Sequence, residues 1–101
     1  MQHFPHLFSS ANLGKVALKN RLIFGPHGTT LGHHGKVTEE LIAYHEARAR
    51  GGAGLIILES ATVHETYAYP EQFIYLGSDE CIAGIKKLTT RCHQYDCKVF
   101  G

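Results

Sequence analysis

The sequence predicts an α/β fold in which short apolar strands alternate with amphipathic helices. Apolar runs at residues 22–24 and 55–58 are too short for helices and do not alternate with polar residues. Continuous apolar runs of this kind are typical of strands buried on both faces of a parallel sheet. Residues 98–101 begin a third strand, and two segments with helical spacing separate the three strands, so their order indicates a βαβαβ unit.

The first helix is bounded by clear start and stop signals. Thr38 is a suitable N-cap, and Glu39 and Glu40 follow it in the first turn, where the helix dipole favours negative charge. The glycine pair at residues 51–52 is a strong C-terminal stop. Its apolar face is predicted to consist of Leu41, Ile42, Ala49 and the ring of either Tyr44 or His45.

The second helix and the return to the last strand are equally well marked. Ser78 or Asp79 is the predicted N-cap, and apolar side chains then recur every three or four residues. The predicted stripe consists of Ile82, Ile85, Leu88, Cys92 and Tyr95. In front of the first strand, residues 7–8 and 16–18 are the predicted arms of a short hairpin that turns at Gly14 and Lys15.

The connections differ in length, and this difference predicts where a functional site lies. Loops that follow the first two strands have about 12 and about 17 residues, whereas such connections usually have 2–6. In right-handed βαβ units, loops that follow the strands emerge at the same edge of the sheet. We therefore expect a site where residues 25–37 and 60–77 meet, because function concentrates on such loops.

Composition and charge exclude several classes of partner. The net charge is +1 with no basic cluster, which argues against nucleic acid and anionic membranes. The longest aliphatic run, residues 55–58, is far shorter than the roughly 20 residues of a membrane span. Cys81, Cys92 and Cys97 have no metal-ligand spacing, and no histidine pair has helical metal-binding spacing. We expect no metal site and a cytoplasmic setting, since the residues after Met1 do not resemble a secretion signal.

The length of the chain bears on completeness. A chain of 101 residues allows one domain at most. Three parallel strands with two helices leave both sheet edges unpaired, whereas a closed α/β barrel needs about 250 residues. We expect residues 1–101 to be the opening portion of a larger domain. The alternative is a small, non-catalytic α/β module that binds a partner through its open sheet edge.

The turn after the first strand is the most informative motif. Gly25 and Gly28 lack a Cβ, so a flat ligand can approach the backbone, and Pro26 restricts the turn between them. The glycine spacing matches neither a dinucleotide fingerprint nor a phosphate-binding P-loop. From spacing alone, an ordinary strand-ending turn and a ligand-facing turn both stay open. A flavodoxin-like binding domain is disfavoured by the missing phosphate loop.

The chain contains, in this order, Leu-Lys-Asn-Arg at 18–21, Gly-Pro-His at 25–27, Gly-Lys-Val-Thr at 35–38 and Arg-Gly-Gly-Ala-Gly-Leu-Ile-Ile-Leu-Glu at 50–59. This order of motifs resembles the N-terminal part of the Old Yellow Enzyme family of FMN-dependent oxidoreductases. The histidine directly after Pro26, His27, makes the turn most similar to that of the branch that contains trimethylamine dehydrogenase and 2,4-dienoyl-CoA reductase. The resemblance implies an incomplete TIM (β/α)8 barrel, of which this chain is the first βαβαβ segment after a short hairpin.

The resemblance also implies the cofactor and part of its site. Gly25, Pro26, His27 and Gly28 match the turn whose main chain borders the isoalloxazine of FMN, and Ser60 matches a small residue near the pyrimidine side. NAD(P)H is the implied reductant and a small organic molecule the implied substrate. The oligomeric state is not indicated.

Departures from the family pattern are informative. Gly28 stands where some members have a cysteine that tunes or covalently binds the flavin, so covalent attachment here is excluded. Thr30 stands where some ene-reductases have a substrate-facing tyrosine, and this change leaves Thr30 only a weak candidate for a catalytic residue. The implied main catalytic donors, the flavin phosphate site and any iron–sulfur cysteines lie beyond Gly101.

The remaining polar residues receive structural interpretations. Arg21 and Glu59 lie at strand ends and are predicted to form a buried ion pair. His45 is expected to face the barrel wall or solvent. Aromatic side chains of the second loop are candidates for substrate contact, although such residues more often pack against their own loop. These candidates are His64, Tyr67 and Tyr69.

Overall fold

Two helices and three parallel strands form the centre of the computed structural model, which describes residues 3–66 and 72–101. Its elements are β1 (Ala11–Leu13), β2 (Val16–Leu18), β3 (Ile23–Phe24), α1 (Glu39–Arg50), β4 (Leu55–Ile57), β5 (Ala61–Thr62), β6 (Ile74–Tyr75), α2 (Ile82–His93) and β7 (Lys98–Phe100). A 3-10 turn, Asp79–Cys81, leads into α2.

The central sheet has the strand order β3-β4-β7, and both pairings are parallel. Ile23 is opposite Leu55, and Leu55 is in turn opposite Lys98. Because α1 connects β3 to β4 and α2 connects β4 to β7, the predicted βαβαβ unit is confirmed. The three strands do not close into a barrel.

The two helices pack against each other and against the sheet. Leu41, Ile56 and Leu88 come from α1, β4 and α2, and each is completely buried. Removing these side chains from water is the main favourable contribution to folding, about 1.5–3 kcal/mol for each. Two ion pairs cross the helix interface, between Arg91 and Glu46 at 3.0 Å and between Lys87 and Glu39.

Helix α1 begins and ends as its capping residues predict. The Thr38 hydroxyl accepts a hydrogen bond from the Leu41 amide at 3.1 Å and donates one to the Leu31 carbonyl at 2.5 Å. Gly51 is the C-cap, and Gly52 follows with φ +116°, a conformation that favours glycine. His45, rather than Tyr44, completes the buried face.

Helix α2 follows the predicted stripe except at its first residue, and Ile85 and Tyr95 pack against the core beside the buried positions. Leu88 and Cys92 are completely buried, but Ile82 is 56% exposed. Because the first turn after Ser78 is a 3-10 turn, the apolar face of α2 is established only further along the helix. The Ser78 side chain makes no capping hydrogen bond.

The N-terminal hairpin differs from its prediction in one arm. Its turn is at Gly14, which has φ +60°, and its second arm is β2, as expected. The first arm is β1, Ala11–Leu13, and not residues 7–8, which lie in a turn. A two-residue connection requires the paired residues to flank the turn directly, and residues 7–8 are too far from it.

Strand β3 is less buried than a continuous apolar run predicts. Ile23 is 46% exposed and Leu22 is 39% exposed. The reason is that β3 is an edge strand that, among the described strands, pairs with β4 alone. Leu22, Ile23 and Phe24 line a shallow cavity of about 290 Å³ together with Arg48, Gly51 and Ala53.

The long loops contain a second, small pair of parallel strands that the sequence pattern did not predict. Ala61 is opposite Ile74 in the pairing of β5 with β6, and Gly35 from the first loop forms a bridge to Ile74. A Cβ at Gly32 would lie 2.5 Å from the Gln72 carbonyl oxygen. The two loops are thus packed closely together, as their shared edge of the sheet requires.

Candidate functional site

The two strand-following loops are joined by a buried carboxylate, Glu59. It lies just after β4, and its side chain is 1% exposed. One carboxylate oxygen accepts a hydrogen bond from the Thr29 hydroxyl at 2.7 Å, and the other accepts one from the Thr29 amide at 3.3 Å. Thr29 follows Gly28 and Glu59 precedes Ser60, so this contact brings the two predicted parts of the site together.

The turn at residues 25–28 presents its main chain to the surface. Gly25, Pro26, His27 and Gly28 are all exposed and belong to no helix or strand. A Cβ built on Gly25 or Gly28 meets no heavy atom of the described residues within 4 Å. The backbone is therefore open to a planar group that approaches it closely.

An aromatic layer on α1 supports this turn. The His27 ring is nearly parallel to the Tyr44 ring, with the planes 15° apart and the centroids 6.4 Å apart. The Arg48 guanidinium lies 3.6 Å from the centroid of the Tyr44 ring, within the range of a cation–π interaction. Arg48 also donates a hydrogen bond to the Tyr44 carbonyl at 3.0 Å. The contact with Tyr44 gives His27 a defined orientation although it is exposed.

Thr30 has an unusual backbone conformation at the exposed rim of the loop. Its φ of +57° lies in the left-handed region, which is uncommon for a residue with a side chain. Its hydroxyl donates to the Thr29 carbonyl at 2.6 Å, so its hydrogen is already used within the loop. This arrangement gives no support to Thr30 as a catalytic residue.

The second loop contributes Ser60 and a separate local cluster. Ser60 is exposed at the same edge of the sheet as the turn at 25–28. His64 instead packs within its own loop, where its Nδ1 lies 2.8 Å from the Thr66 hydroxyl and accepts a hydrogen bond from the Thr66 amide. Tyr67 and Tyr69 lie outside the described residues.

His45 lies beneath the site in an unusual state. Its side chain is 1% exposed, and neither ring nitrogen has a hydrogen-bond partner among residues 3–66 and 72–101. Burial, with a smaller contribution from the positive charge of Arg48, lowers the pKa of His45 to about 4. The Nε2 atom lies 4.0 Å from a Glu59 oxygen, too far for a hydrogen bond. The ring is therefore neutral at pH 7, and of the two expected surroundings, barrel wall or solvent, His45 has the buried one.

The predicted ion pair between Arg21 and Glu59 is not formed. Arg21 donates to the Ser9 hydroxyl at 3.0 Å and to the Ser10 carbonyl at 3.4 Å, on the side of the hairpin. The two residues lie at opposite ends of the parallel strands, since Arg21 precedes β3 and Glu59 follows β4. Two such positions are separated by the length of the sheet.

The sequence signal for the Glu59 contact was present but incomplete. A carboxylate directly after a buried strand and a threonine in the preceding loop indicate a polar connection, but neither residue identifies the other.

The structure also limits two other kinds of site. No group of three or more His, Cys, Asp or Glu among the described residues is arranged to bind a metal ion. No helix in the described part of the chain is long and apolar enough to cross a membrane.

Together, fold and site define a class: an α/β protein with an exposed glycine-containing turn and a small polar residue at the carboxyl ends of adjacent parallel strands. A sequence profile of the NADH:flavin oxidoreductase / NADH oxidase family matches residues 6–100, and the chain belongs to this family. Flavin fits these residues, since Gly25 and Gly28 leave space for a flat ring beside the backbone.

Individual proteins support the same conclusion. The chain is 40% identical over 106 residues to an NADH oxidase of Thermoanaerobacter brockii, matching 99% of this chain and 16% of the oxidase. The structure is similar to the old yellow enzyme from Trypanosoma cruzi, with a TM-score of 0.84 and 30% identity over 97% of this chain and 26% of that one.

A third similarity is to 6-hydroxypseudooxynicotine amine oxidase from Pseudomonas geniculata N1. It has a TM-score of 0.87 and 30% identity, and covers 98% of this chain and 15% of that one. These similarities confirm the predicted fold as the opening part of an Old Yellow Enzyme barrel. The chain spans 15–26% of the length of these three proteins.

Proposed function

We propose that residues 1–101 form the N-terminal portion of a single FMN-binding barrel domain in an oxidoreductase that acts on a small organic substrate. The observation that carries the proposal is the hydrogen-bonded contact between Thr29 and Glu59. It joins the exposed turn at 25–28 to Ser60 at one edge of the sheet, where loops of α/β barrels bind their ligands. Membership of a flavin oxidoreductase family supports FMN as the ligand.

Each residue has a distinct part in this proposal. FMN supplies hydride transfer when it is bound, and the protein supplies orientation and electrostatics. The main chain at Gly25, Pro26 and Gly28 borders the ring system, and Gly28 cannot form a covalent link to it. His27, oriented by Tyr44, limits access to the turn from one side. Ser60 offers a hydroxyl near the pyrimidine side of the flavin.

NAD(P)H is the proposed reductant, and the substrate is proposed to be a small organic molecule. The name of the Thermoanaerobacter brockii relative, NADH oxidase, supports a nicotinamide reductant. The amine oxidase similarity and the Gly-Pro-His turn support the branch that contains trimethylamine dehydrogenase and 2,4-dienoyl-CoA reductase. A cytoplasmic setting is part of the proposal, since Cys81, Cys92 and Cys97 are free thiols.

A second candidate is a non-catalytic module that binds a partner through the edge of β3. The exposed Leu22 and Ile23 and the adjoining cavity favour it, because an unpaired apolar edge accepts another strand. A barrel would use the same edge for a strand of its own. The FMN proposal is preferred because it also accounts for the exposed turn and for the Thr29–Glu59 contact.

Absorption spectroscopy distinguishes the two candidates. The full reading frame that contains this chain is purified and compared with residues 1–101 alone. We expect the full protein to purify with FMN in a one-to-one ratio and a flavin band that NADH or NADPH bleaches under anaerobic conditions. Residues 1–101 alone are expected to bind FMN at least about a hundredfold more weakly, because much of a ligand site is contributed by other strands. A full protein without flavin contradicts the proposal.

A further inference from the structure

Glu59 is a buried charge with few partners. Its two carboxylate oxygens receive hydrogen bonds from one residue, Thr29, and from no other donor among residues 3–66 and 72–101. A buried carboxylate is costly unless it is hydrogen-bonded or paired with a cation. The contact with Thr29 is therefore strongly favoured, and it restricts where the loop can lie.

No competing donor to the Glu59 carboxylate is found among the described residues. The Nε2 atom of His45 is 4.0 Å from a carboxylate oxygen, and both ring nitrogens are unpartnered in the described part of the chain. The charged groups around His45 are Glu59 itself and Arg48, and Arg48 faces Tyr44 and Phe24 instead. The direction of the Glu59 side chain is thus set by Thr29.

Thr29 transmits this restraint to the turn. Besides donating to Glu59, its hydroxyl accepts a hydrogen bond from the Leu31 amide at 3.1 Å. The Thr29 side chain therefore links the Glu59 carboxylate to the main-chain amide of Leu31. Gly28 precedes Thr29 directly, so the position of its peptide group depends on the same contact.

We propose that Glu59 is a positioning residue that, through Thr29, fixes the main chain of the turn at 25–28 in its ligand-binding conformation. The inference rests on the proposed FMN function and deepens it. Glu59 acts through Thr29 and does not itself contact the flavin. Without the Glu59 carboxylate, the turn can adopt other conformations. Part of the free energy of FMN binding is then used to return the turn to its ligand-binding conformation, and the affinity decreases.

The test uses the full reading frame that contains this chain and measures FMN dissociation constants by flavin fluorescence. The variants are Glu59→Gln, which removes the charge, and Thr29→Val, which removes the hydroxyl. We expect each to weaken FMN binding about tenfold or more, because hydrogen bonds to charged groups are strong. Thr29→Ser retains the hydroxyl and is expected to bind within about threefold of the wild type.

A matched control and a double variant separate positioning from general destabilisation. Thr90→Val makes the same substitution on α2, where the hydroxyl donates to the Lys86 carbonyl, and should leave FMN affinity unchanged. The double variant Glu59→Gln with Thr29→Val should bind FMN no more weakly than the weaker single variant, since both remove one contact. The flavin absorption maximum should shift in Thr29→Val and return in Thr29→Ser.

The outcomes are distinguishable from failure of the proposed function. A wild-type protein that binds no FMN contradicts the function itself. A wild-type protein that binds FMN, with Thr29→Val within about twofold of it and an unshifted spectrum, overturns the positioning role. Additive effects in the double variant would overturn it as well. If Glu59→Gln does not fold, the comparison of Thr29→Val with Thr29→Ser decides alone.

Discussion

Two regions of this protein differ in burial: the helix side, where α1 and α2 pack on the sheet, and the loop edge, where residues 25–37 and 60–77 follow the strands. On the helix side, Leu41 and Leu88 are completely buried, and ion pairs such as Arg91 with Glu46 cross the interface. At the loop edge, residues 25–28 and Ser60 are exposed, and the buried Glu59 contact joins them. Under the proposed function, stability depends mainly on the helix side and FMN binding on the loop edge. Most substitutions should therefore affect either the free energy of unfolding or FMN binding.

The largest effect on stability is expected on the helix side. Leu88→Ala leaves a cavity at a completely buried position of α2 and should lower the free energy of unfolding by about 2–5 kcal/mol. Urea denaturation of the full protein measures the change. Leu13→Ala is the matched control, since Leu13 is 46% exposed on the hairpin, and it should cost less than about 1 kcal/mol. Equal losses of unfolding free energy in the two variants would show that the core around Leu88 does not stabilise the protein.

The next effect is pH-dependent and concerns His45, which lies between the two regions. Burial lowers its pKa from 6.5 to about 4, so only the unfolded state takes up a proton between these values. The contribution of neutral His45 to the free energy of unfolding is fully present above about pH 6.5, and it is lost as the pH decreases towards 4. Between pH 7 and about pH 5 the loss should be about 2 kcal/mol.

The measurement for His45 compares urea denaturation of the wild type and His45→Phe at both pH values. We expect the variant to lose less stability than the wild type over this interval, by about the same 2 kcal/mol. Identical losses would contradict the prediction. They would show that the Glu59 carboxylate, 4.0 Å from Nε2, stabilises the protonated ring enough to cancel the effect of burial.

A smaller effect is expected at the start of α1, where the loop edge meets the helix side. Thr38→Ala removes the hydrogen bonds to the Leu41 amide and the Leu31 carbonyl and should cost about 1 kcal/mol. Thermal unfolding followed by circular dichroism measures it. Thr38→Ser, which retains the hydroxyl, should recover most of the lost stability. A Thr38→Ser variant as unstable as Thr38→Ala would contradict the capping role.

The helix ends could be predicted because their signals are local. Thr38 and Gly51 lie within one turn of the residues that they cap, so the sequence contains both partners of each contact. The exposure of Ile82 was not predicted, because the 3-10 turn in front of α2 places this first residue of the helix at the edge of the packed face. The exposure of Ile23 was not predicted either, since it depends on the edge position of β3.

The candidate site was only partly predictable for a different reason. Loop lengths predicted that the loops after the first two strands lie together at one edge, and their packing is confirmed, because parallel strands place such loops side by side. The contact of Thr29 with Glu59 joins residues 30 positions apart, and nothing periodic in either loop identifies the partner. The pairing of β5 with β6 is similarly hidden, since strands of two residues give no alternation to detect.

The most direct test of the central claim is the FMN affinity of Gly28→Val in the full protein. A Cβ at Gly28 meets no atom of residues 3–66 and 72–101 within 4 Å, so the free energy of unfolding without FMN should change by less than about 0.5 kcal/mol. FMN should bind at least about tenfold more weakly, because the added side chain occupies the space beside the backbone. Ala17→Val, on the exposed face of the hairpin, is the control and should change neither quantity. Unchanged FMN affinity in Gly28→Val would contradict the claim that this turn borders the flavin.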